Sequence, residues 1–122
     1  MKLNQESGGS GYRIRSYEPG RVRINDSVLE RSVILAPDLL LADWAPQSLA
    51  ELNADNLQTV LDLKPEVVLL GTGPVQQFPD RALLQRILKA GIGVEVMETG
   101  AACRTYNVLM AEDRRVVAAL FL

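Results

Sequence analysis

Three largely apolar runs in the second half of the chain, at residues 67–70, 92–97 and 116–122, most strongly limit the folds that this sequence can adopt. Each run is short and bounded by glycine, proline or charged residues, which is typical of a strand that is buried on both faces. The segments between the runs carry apolar residues at helical spacing, for example at Leu84 and Ile87. Strands that alternate with helices predict a layered α/β sheet. The predicted N-caps of the three helices are Asp55, Asp80 and Thr99.

The first half of the chain has a period of two instead. Apolar residues alternate with polar ones over residues 12–24, and turn-forming pairs occupy positions 19–20 and 25–26. This pattern predicts an antiparallel meander whose last strand covers residues 28–35 and whose outer face contacts solvent. The alternating arginines are expected on that outer face, where they favour solubility; an anion-binding role is the alternative. They are Arg13, Arg15, Arg21 and Arg23.

The length of 122 residues suits one domain. We expect a chain of this size to bury roughly two-thirds of the surface of its unfolded form, which is enough for a core without disulfides. Residues 1–11 are polar and rich in glycine, and they predict a flexible tail. They have neither the apolar segment of a secretory signal nor the arginines of a mitochondrial presequence. The expected organisation is therefore a tail over 1–11 and a single α/β domain over 12–122.

Composition argues against several kinds of function. The net charge of −2 gives no broad basic field for nucleic acid, and no run approaches the roughly 18 apolar residues of a membrane span. The sequence has no histidine, which removes histidine-based nucleophilic catalysis and the commonest zinc ligand. Its one cysteine, Cys103, is more consistent with a small buried side chain than with a nucleophile. We expect a cytoplasmic protein with no metal and no cofactor.

The segment Gly71-Thr72-Gly73-Pro74, here called the glycine loop, follows a predicted buried strand. Ligands of open α/β sheets bind beyond the carboxyl ends of strands, where small residues allow a close approach to the backbone. The dinucleotide fingerprint is absent, however, because its third glycine would fall at Gln76. A structural turn in which glycine supplies a positive φ is the alternative interpretation.

A second group of polar residues lies near the start of the last predicted helix. If the strand that carries Glu95 is central, the Glu95 carboxylate is partly buried and needs a partner, for which Arg104 or Arg114 is available. Such a carboxylate indicates either a functional site or a structural ion pair. Arg104 and Asn107 lie on the helix side opposite its apolar residues, so they are either solvated or line a pocket with the glycine loop.

Three blocks of sequence, at residues 68–73, 93–107 and 111–116, carry a family resemblance that runs from about Tyr12 to the C-terminus. The chain resembles a family of small domains of unknown function whose best-known member is mitochondrial NADH:ubiquinone oxidoreductase (complex I) assembly factor three, and it looks like a bacterial relative. The resemblance implies a three-layer β plus α/β domain (mixed α+β), with a central mixed sheet of about five strands. It implies no catalytic residues, and binding to a partner protein. By resemblance, the most characteristic surface comprises Gly71, Thr72, Gly73, Pro74, Glu95, Thr99, Arg104, Thr105 and Asn107.

The sequence favours a non-enzymatic binding or assembly module with an unknown protein partner, although it does not exclude an enzyme. This hypothesis predicts an exposed apolar patch that includes Trp44 or Phe78. The alternative is a small-molecule-binding or enzymatic domain, which predicts a concave pocket joining Gly73, Glu95 and Asn107. A homodimer formed through the open edge of the meander is a third hypothesis.

Overall fold

The computed structural model describes residues 2–4 and 11–122. The strands are β1 (Lys2–Asn4), β2 (Ile14–Glu18), β3 (Arg21–Ile24), β4 (Ser27–Leu29), β5 (Val33–Ala36), β6 (Leu39–Ala42), β7 (Val67–Thr72), β8 (Gly93–Met97) and β9 (Val116–Phe121). The helices are α1 (Ala54–Leu61), α2 (Arg81–Lys89) and α3 (Thr99–Ala111), with a short 3-10 helix at Leu49–Glu51. The alternation of strands and helices predicted for the second half is confirmed.

A six-stranded mixed sheet forms the centre of the molecule, in the order β1-β6-β5-β9-β7-β8. Strand β7 pairs in parallel with both β8 and β9, whereas β5 pairs antiparallel with β9 and β6. Every residue of β7 and of β9 is buried, as the apolar runs at residues 67–70 and 116–122 predict. A separate antiparallel sheet contains β2, β3 and β4. The mixed sheet that the resemblance implies and the antiparallel meander that the period-two pattern predicts are thus confirmed, with β1 as a sixth strand of the mixed sheet.

Apolar side chains pack on both faces of the six-stranded sheet and produce three layers. On one face, α3 and the three-stranded sheet enclose a core that includes Leu69, Tyr106 and Leu120. On the other face, α1 and α2 cover a second core that contains Trp44 and Phe121, whose rings stack with centroids 5.3 Å apart. Because the sheet is covered on both sides, side chains of either parity along β7 and β9 are buried.

The predicted third strand of the meander, over residues 28–35, is divided in two. Strand β4 ends at Leu29 and stays in the three-stranded sheet, whereas β5 begins at Val33 and joins the six-stranded one. Buried Ser32 holds this crossing: its hydroxyl contacts the carbonyl oxygens of Trp44 and Pro46, and its own carbonyl accepts from the Trp44 N–H at 3.0 Å. Three consecutive polar residues, at positions 30–32, stand at the break, and the predicted strand ran through them.

The start of the chain differs from the predicted tail where the structure describes it. Lys2–Asn4 form β1, which pairs antiparallel with β6 in the register Leu3 opposite Leu41. Residues 1 and 5–10, over which the tail was also predicted, lie outside the described residues.

Two of the three predicted N-caps are wrong. Helix α1 is capped by Asn53, two residues before Asp55; its side chain accepts from the Asn56 N–H, and the Asn56 side chain accepts from the Asn53 N–H. Helix α3 is capped by Glu98, which accepts from the Ala101 N–H at 2.5 Å. Asp80 does occupy the N-cap position of α2, but its side chain makes no capping hydrogen bond.

Candidate functional site

The glycine loop and the first residue of α3 lie against each other. The Gly73 N–H donates to the Thr99 hydroxyl at 2.7 Å, and the Thr99 N–H donates to the Gly73 carbonyl at 2.8 Å. The Thr99 hydroxyl in turn donates to the Phe121 carbonyl at 2.5 Å. Thr99 is fully buried, so it joins the ends of β7 and β9 to the start of α3 instead of capping the helix.

Gly71 is required by close packing at the end of β7. A methyl group at this position would lie 2.9 Å from a Leu120 methyl and 2.9 Å from the Thr99 hydroxyl oxygen. Gly73 has a φ of +98°, a conformation that other residues rarely adopt. The φ of Gly73 is what the structural-turn interpretation predicts, whereas Gly71 is constrained by packing and has no positive φ.

The Thr72 side chain of the glycine loop also forms hydrogen bonds within the protein. Thr72 is buried, and its hydroxyl contacts the carbonyl oxygens of Val75 at 2.8 Å and Met97 at 3.3 Å. The same oxygen accepts from the Gln77 N–H at 3.1 Å. Pro74 is exposed beside it. The loop is thus fixed by its own hydrogen bonds.

The prediction for the Glu95 carboxylate is wrong. Strand β8 lies at the edge of the six-stranded sheet, and Glu95 is exposed. Arg104 approaches Glu98 at 3.6 Å, and Arg114 approaches Glu66 at 3.8 Å, so neither arginine pairs with Glu95. An edge strand has a neighbour on one side only, so its side chains are less covered than those of a central strand. The Glu95 carboxylate therefore stays in contact with water and needs no buried ion pair.

Three predicted site residues on α3 make separate contacts. The Asn107 side-chain amide donates to the Ile14 carbonyl at 2.7 Å and accepts from the Ile14 N–H at 3.0 Å. The Thr105 hydroxyl lies 3.6 Å from the Met97 sulfur, whereas Arg104 is exposed. Asn107 therefore binds the edge of β2 and does not lie beside the glycine loop.

A groove of about 150 Å³ lies between β2 and α3. Arg15 and Tyr17 line it on the strand side, Gly100 and Arg104 on the helix side, and Asn107 also contributes to its wall. The predicted pocket, by contrast, was to join Gly73, Glu95 and Asn107; only Asn107 contributes to this groove. We call it the β2–α3 groove.

Cys103 also lines the β2–α3 groove but is only 5% exposed. Burial raises the pKa of its thiol to about 12, and the Glu98 carboxylate adds to this effect, whereas the Arg104 guanidinium opposes it. The thiol is therefore protonated at neutral pH. This is the behaviour of the small buried side chain that the sequence favours, not of a thiolate nucleophile.

A second surface carries exposed apolar side chains. Val75 and Phe78, in the segment between β7 and α2, are 64% and 69% exposed. Phe78 borders a groove of about 430 Å³ that is also lined by Leu49, Leu52 and Leu83. We call these five residues the Phe78 surface. Of the two aromatic residues predicted for an exposed patch, Phe78 is exposed, but the prediction for Trp44 is wrong because its ring packs on Phe121.

Over the described residues, no three acidic or cysteine side chains come together in a way that would hold a metal ion. In the same part of the chain, no helix has both the length and the apolar character needed to cross a membrane.

A comparison with protein-family models matches residues 14–121, nearly the whole chain, to the family described as a protein of unknown function (DUF498/DUF598). The chain belongs to this family. This is therefore the family that the three sequence blocks resemble.

Solved structures and curated proteins agree with the DUF498/DUF598 assignment. An NMR structure of a Xanthomonas campestris protein is 44% identical, covers 99% of this chain and 92% of that one, and superimposes with a TM-score of 0.86. A Francisella tularensis subsp. holarctica protein named "13 kDa major membrane protein" is 31% identical over 95% of both chains. The zebrafish (Danio rerio) NADH dehydrogenase [ubiquinone] 1 alpha subcomplex assembly factor 3 is 33% identical over 98% of this chain and 70% of its own length. The family therefore includes complex I assembly factors.

Proposed function

We propose that this chain is a non-enzymatic, cytoplasmic protein-binding module that assists the assembly of a multisubunit complex, and that it contacts its partner protein through the Phe78 surface. The observation that carries the proposal is the 69% exposure of Phe78, next to a groove with leucine walls. Relatives that are named as assembly factors for NADH dehydrogenase support the same kind of role.

The energetics of the Phe78 surface favour a contact with another protein. Exposed aromatic rings are costly to hydrate, and covering most of a phenylalanine ring contributes on the order of 3 kcal/mol to association. Val75 lies three residues before Phe78 and is nearly as exposed. Apolar anchors beside a groove are typical of the residues that dominate protein interfaces.

The alternative function, a small-molecule or enzymatic site at the glycine loop, receives less support. The Gly73 N–H, the Thr72 hydroxyl and the Thr99 hydroxyl all have partners within the protein. A ligand would have to replace these hydrogen bonds, because buried polar groups are costly to leave unpaired.

Affinity purification from the native organism, with three forms of the chain, tests the proposal. The forms are the unchanged chain, Phe78→Ser, and Leu88→Ser as the matched control. Leu88 is also exposed, at 57%, but lies on α2 outside the groove. We expect one protein, identified by mass spectrometry, to be recovered with the unchanged chain and with Leu88→Ser but not with Phe78→Ser.

The recovered protein is then purified and titrated calorimetrically against the same three forms. Equal affinity of the Phe78→Ser form would contradict the proposed surface. The assembly role has a separate measurement: native gels of a deletion strain should show less of the complex that contains the partner, with NADH dehydrogenase as the first to examine. A homodimer through the same surface would appear as a doubled mass in light scattering, abolished by Phe78→Ser.

A further inference from the structure

The β2–α3 groove is separate from the Phe78 surface, since it lies on the other face of the six-stranded sheet. Its strand side is an edge, because β2 pairs only with β3 in the described part of the chain. Its helix side is formed by α3, through Gly100, Cys103 and Arg104. A groove between an edge strand and a helix has the shape that accepts an extended peptide.

The backbone of β2 points polar groups into this groove. Glu18 and Arg21 pair across the two-residue turn of the hairpin, so they form the hydrogen-bonded pair that closes it. The next pair, Tyr17 with Val22, is then of the non-hydrogen-bonded kind. Consequently the N–H and C=O of Tyr17 point away from β3 and toward the groove.

Two residues of β2 whose backbone groups point away from β3 differ in their hydrogen bonds. At Ile14, the Asn107 amide already satisfies both the N–H and the C=O. At Tyr17, no hydrogen bond from the described residues reaches the outward backbone groups, while the phenol hydroxyl donates to the Leu122 carbonyl at 3.1 Å. The edge is therefore closed at Ile14 and open at Tyr17, where an added strand could pair.

The charges around the groove are predominantly positive. Arg15 is exposed and forms no ion pair within the described residues. The Arg104 side chain is 76% exposed and lies 3.6 Å from Glu98, whose carboxylate also accepts from the Ala101 N–H. Two guanidinium groups thus line the groove, and the nearby Glu98 carboxylate is already engaged, which favours an acidic ligand over a basic one.

We propose that the β2–α3 groove binds an extended, acidic segment of a partner protein. The segment adds to the open edge of β2 by exchanging hydrogen bonds with the Tyr17 N–H and C=O, and its carboxylates lie near Arg15 and Arg104. Backbone pairing provides part of the affinity, and the arginines select acidic sequences. This contact goes beyond the Phe78 surface and does not depend on it.

Two synthetic peptides test this proposal by NMR titration of the ¹⁵N-labelled protein: one alternates valine with aspartate, and the other alternates valine with lysine. With the aspartate peptide, we expect shifted amide signals for residues 15–17 and for the first half of α3, and slower hydrogen exchange of the Tyr17 N–H. We expect about tenfold weaker binding for Arg15→Glu. Arg104→Gln, which removes charge without placing a carboxylate beside Glu98, should weaken it similarly.

Arg23→Glu is the matched control, because Arg23 is exposed on the same hairpin but does not line this groove. Several results would overturn the proposal: equal binding of both peptides, no signal changes in β2, or equal weakening by Arg23→Glu. Binding to phosphatidylglycerol vesicles instead of the aspartate peptide would indicate a membrane-facing surface and also overturn it. The two proposals can fail independently. If the aspartate peptide does not bind the β2–α3 groove, the capture of a partner through Phe78 is unchanged.

Discussion

The Asn107 side-chain amide pairs with the Ile14 backbone as a neighbouring strand would, donating to its carbonyl at 2.7 Å and accepting from its N–H at 3.0 Å. These two residues are 93 positions apart, and their contact attaches the three-stranded sheet to α3. One residue earlier on α3, the Tyr106 hydroxyl donates to the Tyr12 carbonyl at 2.7 Å. The helix thereby protects the Ile14 end of the β2 edge from pairing with another chain, whereas the backbone groups of Tyr17 stay open.

Asn107→Ala should lower the free energy of unfolding by about 1–3 kcal/mol, because both Ile14 backbone groups lose their partner. Urea unfolding followed by circular dichroism measures the change. Val108→Ala is the control: Val108 is 57% exposed on the same helix, and its truncation should cost no more than about 0.5 kcal/mol. Equal stability of the two variants would show that solvent replaces the Asn107 amide without loss.

Thr99→Val should lower the free energy of unfolding by about 2–4 kcal/mol. Valine has nearly the same shape as threonine but leaves the Gly73 N–H and the Phe121 carbonyl unpaired in the core. Thr99→Ser retains the hydroxyl and should recover more than half of the loss. If Thr99→Val is as stable as the unchanged protein in thermal and urea unfolding, these hydrogen bonds contribute nothing to stability and the prediction is wrong.

The sequence was informative where burial alone decides the structure. Strands β7 and β9 were predictable because all their side chains are buried, which gives an unbroken apolar run. It was uninformative where the outcome depends on the position of a strand within the sheet. The alternation around Glu95 is the same for a central and an edge strand, so its exposure could be learned only from the strand order.

The candidate site shows the same division. The proximity of Gly73 and Thr99 follows from the rule that ligand-binding loops and helix starts meet beyond the carboxyl ends of parallel strands. The Phe121 carbonyl that accepts from Thr99 was not predictable, since nothing local to Thr99 indicates a partner 22 residues away. The role of Asn107 depends on Ile14, which is 93 residues away in the sequence. Phe78 was identifiable as an apolar residue in a loop segment, but its exposure was not.

Gly71→Ala should lower the free energy of unfolding by about 1–3 kcal/mol, because its methyl group would overlap Leu120 and Thr99 at 2.9 Å each. Gly93→Ala is the matched control in the neighbouring strand, where the nearest atoms would lie 3.6 Å away or farther. We expect that variant to be within about 0.5 kcal/mol of the unchanged protein. A neutral Gly71→Ala would mean that α3 moves away from the sheet without loss, which amide exchange at Thr99 would reveal.

The Cys103 thiol predicts how stability depends on alkaline pH. Burial raises its pKa from 9.0 to about 12, so the unfolded chain releases this proton first. Its contribution to stability is therefore complete below about pH 9 and is lost as the pH rises toward 12. Burial also raises the pKa of Tyr17 and Tyr106, so these tyrosines lower the stability at alkaline pH in the same way. The contribution of Cys103 is therefore measured as the difference in unfolding free energy between the unchanged protein and Cys103→Ala. Between pH 9.5 and 11, urea unfolding should show a slope shallower by up to about 1.4 kcal/mol per pH unit in the variant. Identical slopes, or rapid alkylation of the folded protein at pH 8, would mean that the thiol is accessible to water.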